Sequence, residues 1–180
     1  MVITLNKDLS GKILDVGGGG EGIIGRLYGE QVTAIDKYQE ELDEAPSGFV
    51  KVLMDAVNLT FSDCSFDHAT FFYSLMFMSA EEQRRAIMEA VRVLKCGGEI
   101  HIWDCEIASA YLEPFCVDVQ VQLPTEQIST TYGIGKLDAQ DKTSIQTICE
   151  NAGLQSVTER VGEEGFYLCF KKISHHNASL

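Results

Sequence analysis

Residues 13–25 read ILDVGGGGEGIIG: an apolar run carrying one aspartate, four consecutive glycines, then a second apolar stretch. Lys12–Val16, bounded by Gly11 and the glycine string, suits a short buried strand. Ile23, Ile24 and Leu27 recur at helical spacing before Gly29, so a short helix follows the loop. Glycine tolerates positive φ and brings no Cβ, so such a loop lets backbone approach a ligand closely. Gly17, Gly19 and Gly22 satisfy the G-x-G-x-x-G spacing of a dinucleotide site, yet Asp15, two residues before the first glycine, points to a different ligand.

Working outward, Gln31–Ile35 gives a second strand ending at Asp36, and Phe49–Met54 a third ending at Asp55. Between them only Tyr38–Ala45 is left for a helix of little more than two turns before Pro46, Ser47 and Gly48. Phe66–Phe72 is a fourth strand. Ser79 stands three residues before Glu82 as a capping box, and Ile87, Ala90, Val91 and Leu94 then line one helical face up to a Gly97-Gly98 stop. Glu99–Trp103, ending at Asp104, is the fifth strand. The alternation predicts an α/β fold, a Rossmann-like and mainly parallel sheet with helices on both faces. Such sheets bind ligands beyond the carboxyl ends of their strands.

Val117, Val119, Val121 and Leu123 alternate with polar residues, and Ile128, Thr130 and Tyr132 repeat that period after Pro124, which predicts a β-hairpin inserted after strand five. Asp138 is expected to cap a helix carrying Ile145, Ile148, Cys149 and Ala152 and stopped by Gly153. Val157–Val161 and Phe166–Lys171 read as a closing antiparallel pair.

The 180 residues predict one domain over 1–174, with 106–136 as the insertion and 175–180, including His175 and His176, as a frayed tail. A net charge of -13 argues against nucleic acid as partner, since phosphate contacts need a clustered basic surface. No apolar run approaches the roughly 20 residues that span a bilayer, so no membrane association and a cytoplasmic location are expected. Six cysteines show no C-x-x-C pair and read as buried free thiols. The expected partner is a small molecule. The insertion offers either a lid over that substrate, with Tyr111, Phe115 and Tyr132 as its aromatics, or an edge for a homodimer.

Asp15, Asp36 and Asp55 each end a predicted parallel strand, so the fold would gather them beside the glycine loop. A carboxylate at the second strand end can accept both ribose hydroxyls, and one at the third can accept an adenine amine. With ILDVGGGGEG, VTAIDK, VLMDAVNLTFSDCSFDHATFF and RVLKCGGEIHIWD in this order, the chain resembles the class I S-adenosylmethionine-dependent methyltransferases over residues 12–104. The resemblance implies S-adenosylmethionine as cofactor. It assigns Asp15, Gly17 and Gly19 to the methionine portion, Asp36 to the ribose, Asp55 with the Ala56 backbone to adenine, and Phe72 and Tyr73 to the region of the sulfonium and the incoming substrate; Gly18 and Lys37 are further cofactor-binding candidates. The family's third glycine is replaced by Glu21, which then faces the cofactor's ammonium.

A carboxylate at Asp15 would repel a pyrophosphate, so an NAD-dependent oxidoreductase fits less well than methyl transfer. Another use of the same cofactor, and a non-catalytic cofactor-binding or protein-interaction module, are the other readings. Tyr73 and Asp104 are the candidate catalytic residues, with Ser74 as pocket lining. His101 reads as a satisfied core histidine, and Met54, Met76, Met78 and Met88 as core packing. Cys105 and Cys116 flank the insertion and could bind a thiophilic substrate.

Overall fold

The computed structural model describes residues 2–108, 115–135, 139–162 and 165–173. Two sheets form it. The chain begins with β1 (Val2–Thr4), continues through β2 (Ile13–Val16), α1 (Ile23–Tyr28), β3 (Val32–Asp36), α2 (Gln39–Glu44), β4 (Val50–Leu53) and β5 (Phe66–Phe72), and reaches α3 (Ala80–Val93) and β6 (Leu94–Asp104). The hairpin β7 (Phe115–Gln122) and β8 (Gln127–Ile134) follows, then α4 (Lys142–Asn151), β9 (Leu154–Val161) and β10 (Phe166–Lys172).

Seven strands lie in the order β4-β3-β2-β5-β6-β10-β9. The first five pair in parallel, and β10 is antiparallel to both β6 and β9. The chain runs outward from β2 to β4 and then returns to place β5 on the other side of β2. This reversal is the point at which open α/β sheets bind ligands, and the glycine loop leaves β2 there. All four residues of β2 are buried, as a strand covered on both faces requires.

One apolar core lies between the sheet and α3 with α4, around Leu14, Phe71, Ile87, Ile100 and Phe170. The other packs α1 and the hairpin against the opposite face, around Ile13, Ile24, Phe72, Val119 and Val121. The hairpin is antiparallel, and β1, three residues long and unmarked by any pattern, adds in parallel to β7. Along β7 alternate residues are buried and exposed, the period-2 signature.

Several boundaries differ from the sequence reading. The helix α3 ends at Val93, and Leu94 already pairs with Phe66, so the Gly97-Gly98 pair lies inside an irregular start of β6 instead of stopping the helix. The cap of α4 is Asp141, which forms a capping box with Ser144 (Ser144 N to Asp141 Oδ1, 2.6 Å). Asp138 lies outside the described residues, as do Tyr111, His175 and His176. Only Cys105, Cys149 and Cys169 are buried, Cys64, Cys96 and Cys116 being exposed, and Met88 is half exposed on α3.

The capping box of α3 is present in full: Ser79 Oγ accepts from Glu82 N, and Glu82 Oε2 accepts from Ser79 N at 2.7 Å. Ser79→Ala should therefore cost about 1 kcal/mol of stability, read as a lowered unfolding midpoint in urea. No helix forms between β4 and β5. There Arg92 holds the loop, donating to the carbonyl oxygens of Leu59 and Phe61 at 2.8 Å each and to Asp63 Oδ1 at 2.7 Å.

Candidate active site

The site begins where β2 ends. Gly17 N and Gly18 N both donate to Ile35 O, at 2.9 and 3.1 Å, which folds the loop across the end of β3. Gly20 N donates to Glu41 O at 2.8 Å and ties the loop to α2. Gly17, Gly20 and Gly22 adopt φ of 71°, 56° and 56°, the left-handed region that glycine enters without a Cβ penalty.

The missing Cβ atoms face protein. A Cβ at Gly17 would stand 2.6 Å from Ser74 Cβ, at Gly18 2.4 Å from Asp15 Oδ2, and at Gly19 2.5 Å from Glu41 Cβ. These glycines let the loop lie flush on its neighbours and turn its other side to a cavity of about 620 Å³. That volume is in the range of small-molecule sites.

Asp15, Gly17, Gly18, Gly19, Glu21, Asp36, Lys37, Asp55, Ala56, Phe72 and Tyr73 all line this cavity. Asp15 is the third residue of β2 and not its end, Asp36 ends β3, and Asp55 lies two residues beyond β4. Asp36 Oδ1 accepts from Tyr38 N at 3.0 Å and Asp55 Oδ1 from Val57 N at 3.1 Å, which fixes both carboxylates by their own turns.

Asp104 does not line the cavity. Fully buried, its carboxylate accepts from Met76 N at 3.2 Å, Cys105 N at 2.9 Å and Gln140 Nε2 at 2.8 Å, and it braces the turn after β5. Cys105 and Cys116 do not line it either. His101 is buried with both ring nitrogens hydrogen-bonded, and burial with the adjoining His68 pushes its pKa down to about 4.

Among the described residues, seven carboxylates and one lysine, Lys37, line the cavity. Burial, with a smaller push from the charge of Asp36, raises the Asp15 pKa to about 7 against the pull of a 2.6 Å hydrogen bond from Thr70 Oγ1. Glu41 is also raised, first by desolvation and then by its acidic neighbours, Asp36 foremost. Glu41 and Glu44 had no signal in the sequence beyond being acidic residues of a short helix. The loop contact places Glu41.

On the opposite wall Tyr73 takes φ 52°, a conformation rare for a side chain of its size, with its N–H donating to Trp103 O at 2.8 Å. Its ring stacks on Tyr132 of β8, with centroids 5.0 Å apart and planes 9° from parallel. Ser74 Oγ is buried beside it and has no hydrogen-bond partner among the described residues. Glu21 connects the two walls. Its carboxylate accepts from the hydroxyls of Thr130 and Tyr132, while Arg26 joins Glu21 O at 2.7 Å to Glu126 Oε2 at 3.2 Å. Burial, and then the charge of Glu21, raise the Tyr132 pKa and keep its hydroxyl protonated.

Residues 14–102 match the family model described as a methyltransferase domain. No curated protein matches in sequence. Among solved structures, the PH0226 protein of Pyrococcus horikoshii superposes with a TM-score of 0.68 at 17% identity, covering 91% of this chain and 84% of that one. An S-adenosylmethionine-dependent methyltransferase of Methanosarcina mazei gives 0.66 at 20% identity, over 92% and 94%. The [4+2]-cyclase SpnF gives 0.65 at 19% identity, over 92% and 77%. These likenesses carry the fold, which is that of S-adenosylmethionine-dependent methyltransferases, and residues 14–102, just under half of the chain, match the methyltransferase-domain family.

Proposed function

We propose that the cavity holds S-adenosylmethionine along the glycine loop and that its methyl group passes to a small acceptor, neutral or cationic, lodged between Phe72, Tyr73 and the hairpin. The observation that carries this reading is the lining, seven carboxylates to one lysine among the described residues of a single cavity. Such a field favours a sulfonium and an ammonium and opposes an acceptor bearing phosphate or free carboxylate. The unpartnered Ser74 Oγ, buried against Gly17, offers a hydrogen bond to a ligand at that end.

In this assignment Asp15, Gly17, Gly18, Gly19 and Glu21 surround the methionine end, Asp36 and Lys37 the ribose, and Asp55 and Ala56 the adenine. When bound, the cofactor supplies a methyl group on a positively charged sulfur that departs as a neutral thioether. The chain's own contribution is alignment and exclusion of water, which lower the barrier of a displacement that creates no new charge. Phe72, Tyr73 and Tyr132 form the dry aromatic wall for this, and Tyr73, fixed by its backbone and by stacking, orients the acceptor. Asp104 is too deeply engaged to serve as a base. The Thr130 and Arg26 contacts support the hairpin as a lid within one chain, in preference to a dimer edge. No described helix is long and apolar enough to cross a membrane; a single unit over 1–174 acting in the cytoplasm is part of the same proposal.

Calorimetric titration with S-adenosylmethionine, S-adenosylhomocysteine and NAD tests it. The first two should bind and the third should not. Asp36→Ala, shown to be folded, should weaken cofactor binding by at least ~1.5 kcal/mol, just over tenfold, for lost charge-assisted hydrogen bonds. Binding of NAD alone, or unchanged affinity in the variant, would overturn the assignment.

A further inference from the structure

A second cluster of ligating side chains lies on the sheet, away from the cavity. His68 of β5 and Glu99 of β6 are register partners, and His101 stands two residues beyond Glu99. Side chains two apart on a strand share a face, and neighbouring strands lie about 4.8 Å apart. The backbone alone therefore brings the three groups together. Their ligand atoms all fall within 4.8 Å of one another. His68 Nδ1 lies 3.1 Å from His101 Nε2, and Glu99 Oε2 lies 3.8 Å from the same nitrogen.

The geometry points to a divalent transition-metal site, of the zinc class, formed by His68 Nδ1, His101 Nε2 and the Glu99 carboxylate. Two imidazole nitrogens on a tetrahedral zinc ion stand about 3.3 Å apart, given bonds near 2.05 Å. The pair here needs only a small opening to reach that spacing. The other ring nitrogen of His101 is 3.0 Å from Tyr167 Oη, and its ring lies nearly parallel to the adjoining Trp103 and Tyr167 rings, so the inward nitrogen is held in place. Metal-bound histidines are oriented in this way by a partner on the second nitrogen.

Two nitrogens and one carboxylate suit zinc, cobalt or nickel. Magnesium and calcium would require an oxygen cage. His68 and Glu99 are half-buried, which leaves solvent a way to the fourth position. Lys171 Nζ lies 3.7 Å from Glu99 Oε1 and competes for one oxygen, leaving Oε2 toward the histidines. His68 precedes Phe72 by four residues, about 13 Å along the strand. None of the three lines the cavity, so the ion would join β5 to β6 and take no part in methyl transfer.

Titrating the full chain with Co²⁺ alone tests the site. One equivalent should bind and develop visible d–d absorption without the near-ultraviolet band of a thiolate ligand. His68→Gln and Glu99→Gln, both verified as folded by circular dichroism, should each lower Co²⁺ affinity at least tenfold. His68 is the safer of the two histidines to change because it is not fully buried. Absence of saturable uptake, a thiolate band, or unchanged affinity in both variants would overturn the site. None of these outcomes depends on the cofactor assignment.

Discussion

Asp15→Asn should stabilise the ligand-free chain at pH 8 and at the same time remove most of its affinity for S-adenosylmethionine. Burial raises the Asp15 pKa in the folded chain from 3.8 to about 7. The folded state therefore holds this proton to higher pH than the unfolded state. The contribution of this group to stability is greatest below pH 4, falls as pH rises through the interval to 7, and is level beyond it. Three pKa units correspond to ~4 kcal/mol at most. Asparagine is neutral throughout and can still meet Thr70, so its advantage over the wild type should grow from little at pH 4 to ~2–4 kcal/mol at pH 8. Urea unfolding at pH 5 and 8 measures this directly. A variant less stable than wild type at pH 8 would mean that the carboxylate is ionised and well satisfied in the fold.

Binding moves in the opposite direction. A cationic ligand requires the ionised carboxylate, so wild-type affinity should rise about tenfold between pH 6 and 8. The variant should show a weak and level profile. The site then carries a group that costs folding free energy so that it can meet a positive charge, a trade common at functional sites.

Gly18→Ala should be the most damaging change in the loop. Its methyl would enter 2.4 Å from Asp15 Oδ2 and 2.9 Å from Ala34 Cβ, and neither atom belongs to a flexible chain end free to withdraw. Overpacking of this kind costs ~1–3 kcal/mol. The displaced carboxylate should also lower cofactor affinity more than ~30-fold, about 2 kcal/mol. Gly135→Ala is the control, since a Cβ there meets nothing within 4 Å, and it should change stability by less than ~0.5 kcal/mol. Equal effects of the two substitutions would show that the close packing of the loop does not shape the site.

The inner parallel strands were legible because burial on both faces writes them as short apolar runs, and Asp36 and Asp55 stood where such a run gave out, with Asp15 one residue before the end of its own. That was enough to bring Asp15, Asp36 and Asp55 to one cavity. The purpose of the glycines was not legible: what each missing Cβ would meet, Ser74, Asp15 or Glu41, is set by tertiary packing. Tyr73 shows the same limit, because nothing in its neighbours announces a positive φ. Asp104 occupied a position equivalent to that of Asp36 in sequence, at a strand end, but Met76, Cys105 and Gln140 claim it. The strand β1 is too short to carry a period at all.

No helix covers the segment between β4 and β5, where the loop is held instead by Arg92, and the two described sides of the cavity differ in exposure. On the Asp55 side Tyr38 and Leu53 are each 56% exposed, whereas the acceptor side is closed by the hairpin through Glu21 and Arg26. Under the proposed assignment, spent cofactor would be exchanged at one end while the acceptor stayed enclosed at the other. An acceptor with more than one methylatable position would then leave fully modified after a single encounter, and partly modified products would not accumulate.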